Sequence, residues 1–168
     1  VPGDDFRFLD WKVFGRSERL LLKQYEEEED LCVYVLVDCS ASMGHGTARK
    51  LRYGKQLAAA LSYVALANLD RVGVQAFADG LGPRLAPTRG KSRALTLLRF
   101  LERLPSGGNT GFAKAARAFA ARESRRGMVL VISDGFDFES FEQGIDALRY
   151  GRFEPILLLG KEEADAEP

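Results

Sequence analysis

The chain has 168 residues, of which 46% are hydrophobic and 29% charged, the composition of one ordinary globular domain able to bury a core. Basic and acidic side chains number 24 each, so the overall balance offers no argument for a nucleic-acid or membrane partner. That zero is uneven: residues 1–46 carry 5 basic and 10 acidic side chains, residues 47–126 carry 16 and 4, and residues 127–168 carry 3 and 10, giving −5, +12 and −7. The start, Val1-Pro2-Gly3-Asp4-Asp5, lacks an initiator Met and is acidic where a signal peptide is basic, so the sequence is expected to be a piece of a longer chain with no targeting segment. Residues 1–30 read as a lead-in packed on a domain spanning 31–168, with Phe6, Phe8, Trp11, Val13 and Phe14 as a satellite core. The acidic run 26–30 reads as a solvated approach to the first strand.

Residues 31–37 form the longest uninterrupted apolar run, far short of the about 20 residues of a membrane helix. Runs without polar alternation mark strands buried on both faces, and 31–37, 128–132 and 156–159 qualify. Cys32 and Cys39 on one extended strand lie roughly 23 Å apart, beyond disulfide reach, so a reducing, cytoplasmic compartment is expected. Tyr53, Leu57, Leu61, Val64 and Asn68 follow a helical stripe. Residues 72–78 alternate more and contain Gly73 and Gln75, which predicts a strand nearer the sheet edge, and 84–86, stopped by Pro87, a short edge strand. Ala94, Leu97, Leu98, Leu101 and Leu104 make a second helix ending at Pro105. Phe112, Ala115, Ala116 and Phe119 make a third, and Phe141, Ile145 and Leu148 a fourth that Asp137 could cap. The pattern predicts an α/β fold with a doubly wound, mostly parallel sheet and one antiparallel edge strand.

In such sheets ligands bind outside the carboxyl ends of the strands. Two of those ends carry carboxylates: 31–37 runs into Asp38-Cys39-Ser40-Ala41-Ser42, and 128–132 into Ser133-Asp134-Gly135. If the chain stays extended after Asp38, residues 38, 40 and 42 point the same way. The glycine-rich turn Pro105-Ser106-Gly107-Gly108-Asn109-Thr110 delivers a third hydroxyl to the start of the third helix. Asp38, Ser40, Ser42, Thr110 and Asp134 are an all-oxygen set without His or Cys, the ligand type of a hard cation such as Mg2+, Mn2+ or Ca2+ rather than zinc. Three neutral hydroxyls and at most two carboxylates can leave a dication incompletely neutralised, so an Asp or Glu of a protein partner is expected to complete its coordination. Helix caps and turns are the bland reading of the same residues.

Asp38-x-Ser40-x-Ser42 after an apolar strand, the threonine of Gly107-Gly108-Asn109-Thr110-Gly111, and Ile132-Ser133-Asp134-Gly135 resemble the metal-ion-dependent adhesion site of von Willebrand factor A domains. Pro2-Gly3-Asp4-Asp5, Asp10-Trp11-Lys12 and Lys23-Gln24-Tyr25-Glu26-Glu27-Glu28 resemble the lead-in of the bacterial proteins known as domain of unknown function 58. The resemblance implies a non-enzymatic domain, often tethered to a membrane elsewhere in its chain, working beside a MoxR-type AAA+ ATPase in protein complex assembly or maturation. It also implies that Ser40, Ser42 and Thr110 meet the metal directly or through one water, while Asp38 and Asp134 mostly hold its waters. Such domains continue past the strand at 156–159 with another helix and strand, which residues 161–168 do not supply. That last helix and strand are expected to be missing.

The rival reading is a magnesium-dependent phosphatase or phosphotransfer domain with Asp38 as nucleophile and Lys161 near the phosphate. A haloacid-dehalogenase-like enzyme would want a second Asp at position 40, where this chain has Ser. His45 beside the site reads as a solvated loop residue more readily than as a ligand, and Cys39 has no base partner that would make it a nucleophile. The basic middle segment reads as a face for an acidic partner or as an internal match to the acidic ends. It lacks the interleaved aromatics of single-strand nucleic-acid binding, and no membrane contact by this segment is expected.

Overall fold

A strand covered on both faces can be apolar at every position, and the first strand is built that way. In the computed structural model, which describes residues 31–44, 49–135 and 138–160, β1 (Cys32–Asp38) is buried throughout. It lies at the centre of the sheet, between β2 (Arg71–Phe77) and β4 (Met128–Ser133), both parallel to it. β5 (Glu154–Leu159) pairs parallel with β4, and β3 (Leu81–Arg89) pairs antiparallel with β2, giving the order β3-β2-β1-β4-β5. Among the described residues four α-helices cover it: α1 (Arg49–Ala67), α2 (Ala94–Glu102), α3 (Phe112–Arg122) and α4 (Phe138–Tyr150). The doubly wound α/β expectation holds. The lead-in 1–30 with its aromatic cluster, His45, Asp137 and the tail 161–168 lie outside the described residues.

Because side chains alternate along a strand, β1 feeds two cores. Val33, Val35 and Val37 pack with Leu61 and Ala65 of α1 and Leu97 and Leu101 of α2. Tyr34 and Leu36 point the other way, into Phe112 and Phe119 of α3 and Phe141 and Leu148 of α4. The second core is the aromatic one. Phe112 and Phe141 stack with centroids 4.4 Å apart, and Tyr34 meets Phe119 edge-on at 5.0 Å. The Tyr34 hydroxyl donates to the Arg125 carbonyl at 2.6 Å, which satisfies its one polar atom.

The edge strand departs from expectation. Pro87 does not stop it, and β3 runs on through Pro83 and Pro87 to Arg89. Its pairing with β2 shifts register twice, between the partners Thr88 and Leu85 and between Arg84 and Leu81. Each proline falls inside one of those interruptions, where a missing N–H costs no ladder bond. The polar residue inside β2 has a related role. Gln75, 2% exposed, donates through Nε2 to the Ala76 and Gly82 carbonyls at 2.7 and 2.9 Å and accepts from Arg122 at 2.7 Å. It ties the irregular start of β3 to α3.

Gly144 of α4 shows how closely the aromatic core is packed, since a Cβ there would overlap the Phe112 ring. Helix propensity alone favours alanine over glycine by about 1 kcal/mol, whereas overpacking of this kind costs about 1–3 kcal/mol. Gly144→Ala is therefore expected to be neutral to destabilising by up to about 2 kcal/mol in urea unfolding; a stabilised variant would show that the α3 and α4 pair yields freely.

Candidate metal centre

β1 has β2 on one side and β4 on the other, so the chain leaves its carboxyl end in one direction and returns to it from the other. A crevice forms at such a reversal. Asp38 ends β1 there and is fully buried. Its Oδ1 accepts the Ser40 N–H at 2.9 Å, and its Oδ2 accepts the Ser133 hydroxyl at 2.6 Å. Burial pushes the Asp38 carboxyl above the usual carboxylate range; the bonds from Ser133 and Ser40 act against that, and the charge of Asp134 adds to it.

The loop after Asp38 is not extended. Residues 41–44 form a single 3-10 turn closed by Met43 N–H to the Ser40 carbonyl at 3.0 Å, with Met43 buried beneath it. The turn nevertheless brings the Ser40 and Ser42 hydroxyls to 3.2 Å of each other. The glycine-rich turn is clamped onto this loop by its backbone: Gly107 N–H donates to the Cys39 carbonyl at 2.9 Å, and Ala41 N–H to the Gly108 carbonyl at 2.8 Å. Gly108 has φ +83°, a conformation that a side chain would strain. A Cβ at Gly111 would press on the Asp79 carbonyl, at 2.6 Å. This clamp delivers Thr110, whose hydroxyl donates to Ser40 Oγ at 2.8 Å.

Three hydroxyls from segments 70 residues apart in sequence thus converge. Asp134, its side chain 3% exposed, follows Ser133 and lies 3.6 Å through Oδ2 from Lys50 Nζ of α1. Asp38, Ser40, Ser42, Thr110 and Asp134 all fall at the carboxyl ends of the strands or in the loops beside them. Two residues of the constellation lie outside the candidate ligand set: Ser133, which the sequence marks only within its motif, and Lys50. Ser133 points inward at the end of β4 to meet Asp38, as the period of the strand allows, and Lys50 has no motif that marks it. Among the described residues no group of three or more His, Cys, Asp or Glu could hold a metal; the five candidate residues offer three hydroxyls and two carboxylates. Hydroxyl oxygens with flanking carboxylates fit a small hard cation that keeps some of its waters.

Cys39, beside Asp38, is a buried free thiol that burial, with Asp38's charge, pushes up to about 11. Cys32 is likewise buried, free and raised by burial.

A doubly wound sheet with Asp-x-Ser-x-Ser after its central strand, a threonine turn and a second strand ending in Ser-Asp has the fold of von Willebrand factor A-like domains. Solved structures agree on the fold: BatB from Bacteroides thetaiotaomicron superposes with a TM-score of 0.60 at 22% identity, covering 76% of this chain and 65% of that one. The vWF domain of the type V pili tip protein Mfa5 from Porphyromonas gingivalis gives 0.52 at 18% identity, covering 63% and 38%. The chain belongs to the family described as Protein of unknown function DUF58, whose profile matches residues 1–153. The uncharacterized protein Rv1480 of Mycobacterium tuberculosis is 33% identical over 139 residues, 79% of this chain. This chain spans only 44% of that relative's length. No helix among the described residues is long and apolar enough to cross a membrane.

Ser133→Ala leaves a buried carboxylate oxygen short of its donor, and a loss of about 1–3 kcal/mol is expected in urea unfolding. An unchanged midpoint would mean that Asp38 draws nothing from that bond. Iodoacetamide at mildly alkaline pH is expected to leave both thiols unmodified in the native chain and to label both after denaturation, read by mass spectrometry. Rapid native labelling of Cys39 would contradict its burial.

Proposed function

We propose that this domain is a non-enzymatic protein-binding module whose site takes a hard divalent cation, Mg2+ first among them, with Mn2+ or Ca2+ as substitutes. The observation that carries the reading is the convergence of Ser40, Ser42 and Thr110, held by a backbone clamp next to the buried Asp38, whose carboxyl also feels the charge of Asp134. The Thr110 and Ser42 hydroxyls, 2.8 and 3.2 Å from Ser40 Oγ, each keep a lone pair for a further partner, and Ser40 keeps one when it is the donor to Ser42. Ser40, Ser42 and Thr110 would hold the cation directly or through one water, and Asp38 and Asp134 would hold its waters. The cation would supply a concentrated positive charge to which an Asp or Glu of a protein partner binds.

Family membership and the von Willebrand factor A-like fold support a protein partner over a small-molecule substrate. The resemblance of the lead-in points to a MoxR-type AAA+ ATPase as that partner, in assembly or maturation of protein complexes. A phosphotransfer role is opposed by Asp38 itself. A nucleophile needs an accessible oxygen, and both oxygens of this buried carboxylate are already accepting hydrogen bonds.

Thermal unfolding with Mg2+ and with chelator tests the metal reading. A cation at a hundredfold excess over its Kd adds about 2.7 kcal/mol to the wild-type chain. Ser40→Ala and Thr110→Ala are expected to abolish that gain and to leave the far-UV spectrum unchanged. Capture of the ATPase should follow the same pattern. Identical melting of wild type and Ser40→Ala, with and without Mg2+, would overturn the metal reading.

A further inference from the structure

Lys50 stands in the first turn of α1, whose 19 residues include Arg49, Lys50, Arg52 and Lys55 and no Asp or Glu. Cations at a helix N-terminus oppose the macrodipole, so helix stability does not account for this placement. The surroundings of the site do. Lys50 Nζ lies 3.6 Å from Asp134 Oδ2, with the carboxylate side chain 3% exposed and the lysine side chain 20% exposed. A carboxylate so nearly removed from water needs positive charge close by, and the lysine offers it from within the chain.

We infer that Lys50 is a built-in counter-charge of Asp134 that competes with the bound cation and so sets the affinity of the site. This rests on the metal reading above. Among the described residues of the site, with both carboxylates ionised, Asp38 and Asp134 contribute two negative charges, Lys50 one positive charge, and the three hydroxyls none. A dication then leaves the site with one positive charge in excess, which a partner's Asp or Glu neutralises. Without Lys50 the loaded site would be neutral and would have less electrostatic call on an acidic partner. The lysine therefore does two things at once: it keeps the carboxylate end of the site ordered before the cation arrives, and it weakens the hold on a cation that has no partner. Coupling between cation and partner is reciprocal, so whatever the partner's carboxylate gains from the cation, the cation gains from the carboxylate.

The test is calorimetric titration of Mg2+ into the wild-type chain, Lys50→Met and Lys50→Arg, with thermal unfolding of all three in chelator. Removing a unit charge near the dication is expected to tighten Mg2+ binding about tenfold in Lys50→Met, while Lys50→Arg, which keeps the charge, binds as wild type. In chelator Lys50→Met is expected to melt lower than wild type, and the difference should shrink or reverse in excess Mg2+. A lysine with only a packing role within α1 would lower melting equally in both conditions and leave the Mg2+ affinity alone; that result overturns the inference. Equal Mg2+ affinity in wild type and Lys50→Met removes the role of Lys50 and keeps the metal site. Failure of Mg2+ to bind any of the three at millimolar concentration removes the metal site, and the inference with it.

Discussion

A carboxylate buried at the end of the central strand is the constraint around which this domain is arranged. Asp38 has no exposed surface, and burying an ion without partners is prohibitively costly. The end of β4 supplies the Ser133 hydroxyl, and the loop after β1 turns back to supply the Ser40 N–H. The first depends on β1 and β4 being parallel neighbours, with Val37 opposite Ile132 in the ladder, and the second is local to the loop. The same turn that satisfies Asp38 places Ser40 beside Ser42, and the glycine-rich turn that clamps the loop places Thr110 beside Ser40. Satisfying one buried charge and gathering three hydroxyls are consequences of a single backbone path.

The two cores on either side of the sheet hold that path in place. The aliphatic face over α1 and α2 receives Met43 from the 3-10 turn. The aromatic face over α3 and α4 receives Phe112, two residues past Thr110, with its ring stacked on Phe141. Each loop of the site is therefore anchored by a large side chain within a few residues of the hydroxyl it presents. Sites held this way on rigid elements lose little entropy when a ligand orders them.

Charge follows the fold more than the sequence blocks suggest. The basic middle segment partly neutralises itself, since Glu123, its side chain 8% exposed, takes ion pairs from Arg84 and Arg122 at 3.0 and 2.9 Å. Lys50 and Asp134 join the middle block to the acidic C-terminal one. That contact is an internal match of the kind the block charges predict, and it lies at the site rather than on a distant face.

The amino-acid order by itself determined the fold class, because unalternating apolar runs require a sheet covered on both faces, and glycine and proline mark where its helices stop. The same periodicity located Asp38 and Asp134 at strand ends and Thr110 at the start of α3. The course of β3 through Pro83 and Pro87 was not legible, since whether a missing N–H matters depends on the register of the neighbouring strand. Nor was the 3-10 turn after Asp38, which arises because a buried carboxylate draws the backbone back onto itself. Ser133, which the sequence offered only as part of the Ile132-Ser133-Asp134-Gly135 motif, and Lys50 gained their roles at the site through tertiary structure. They lie 95 and 12 residues from Asp38 in sequence, and a hydroxyl or an ammonium becomes a partner of a buried carboxylate only when packing brings the two within hydrogen-bond or ion-pair range.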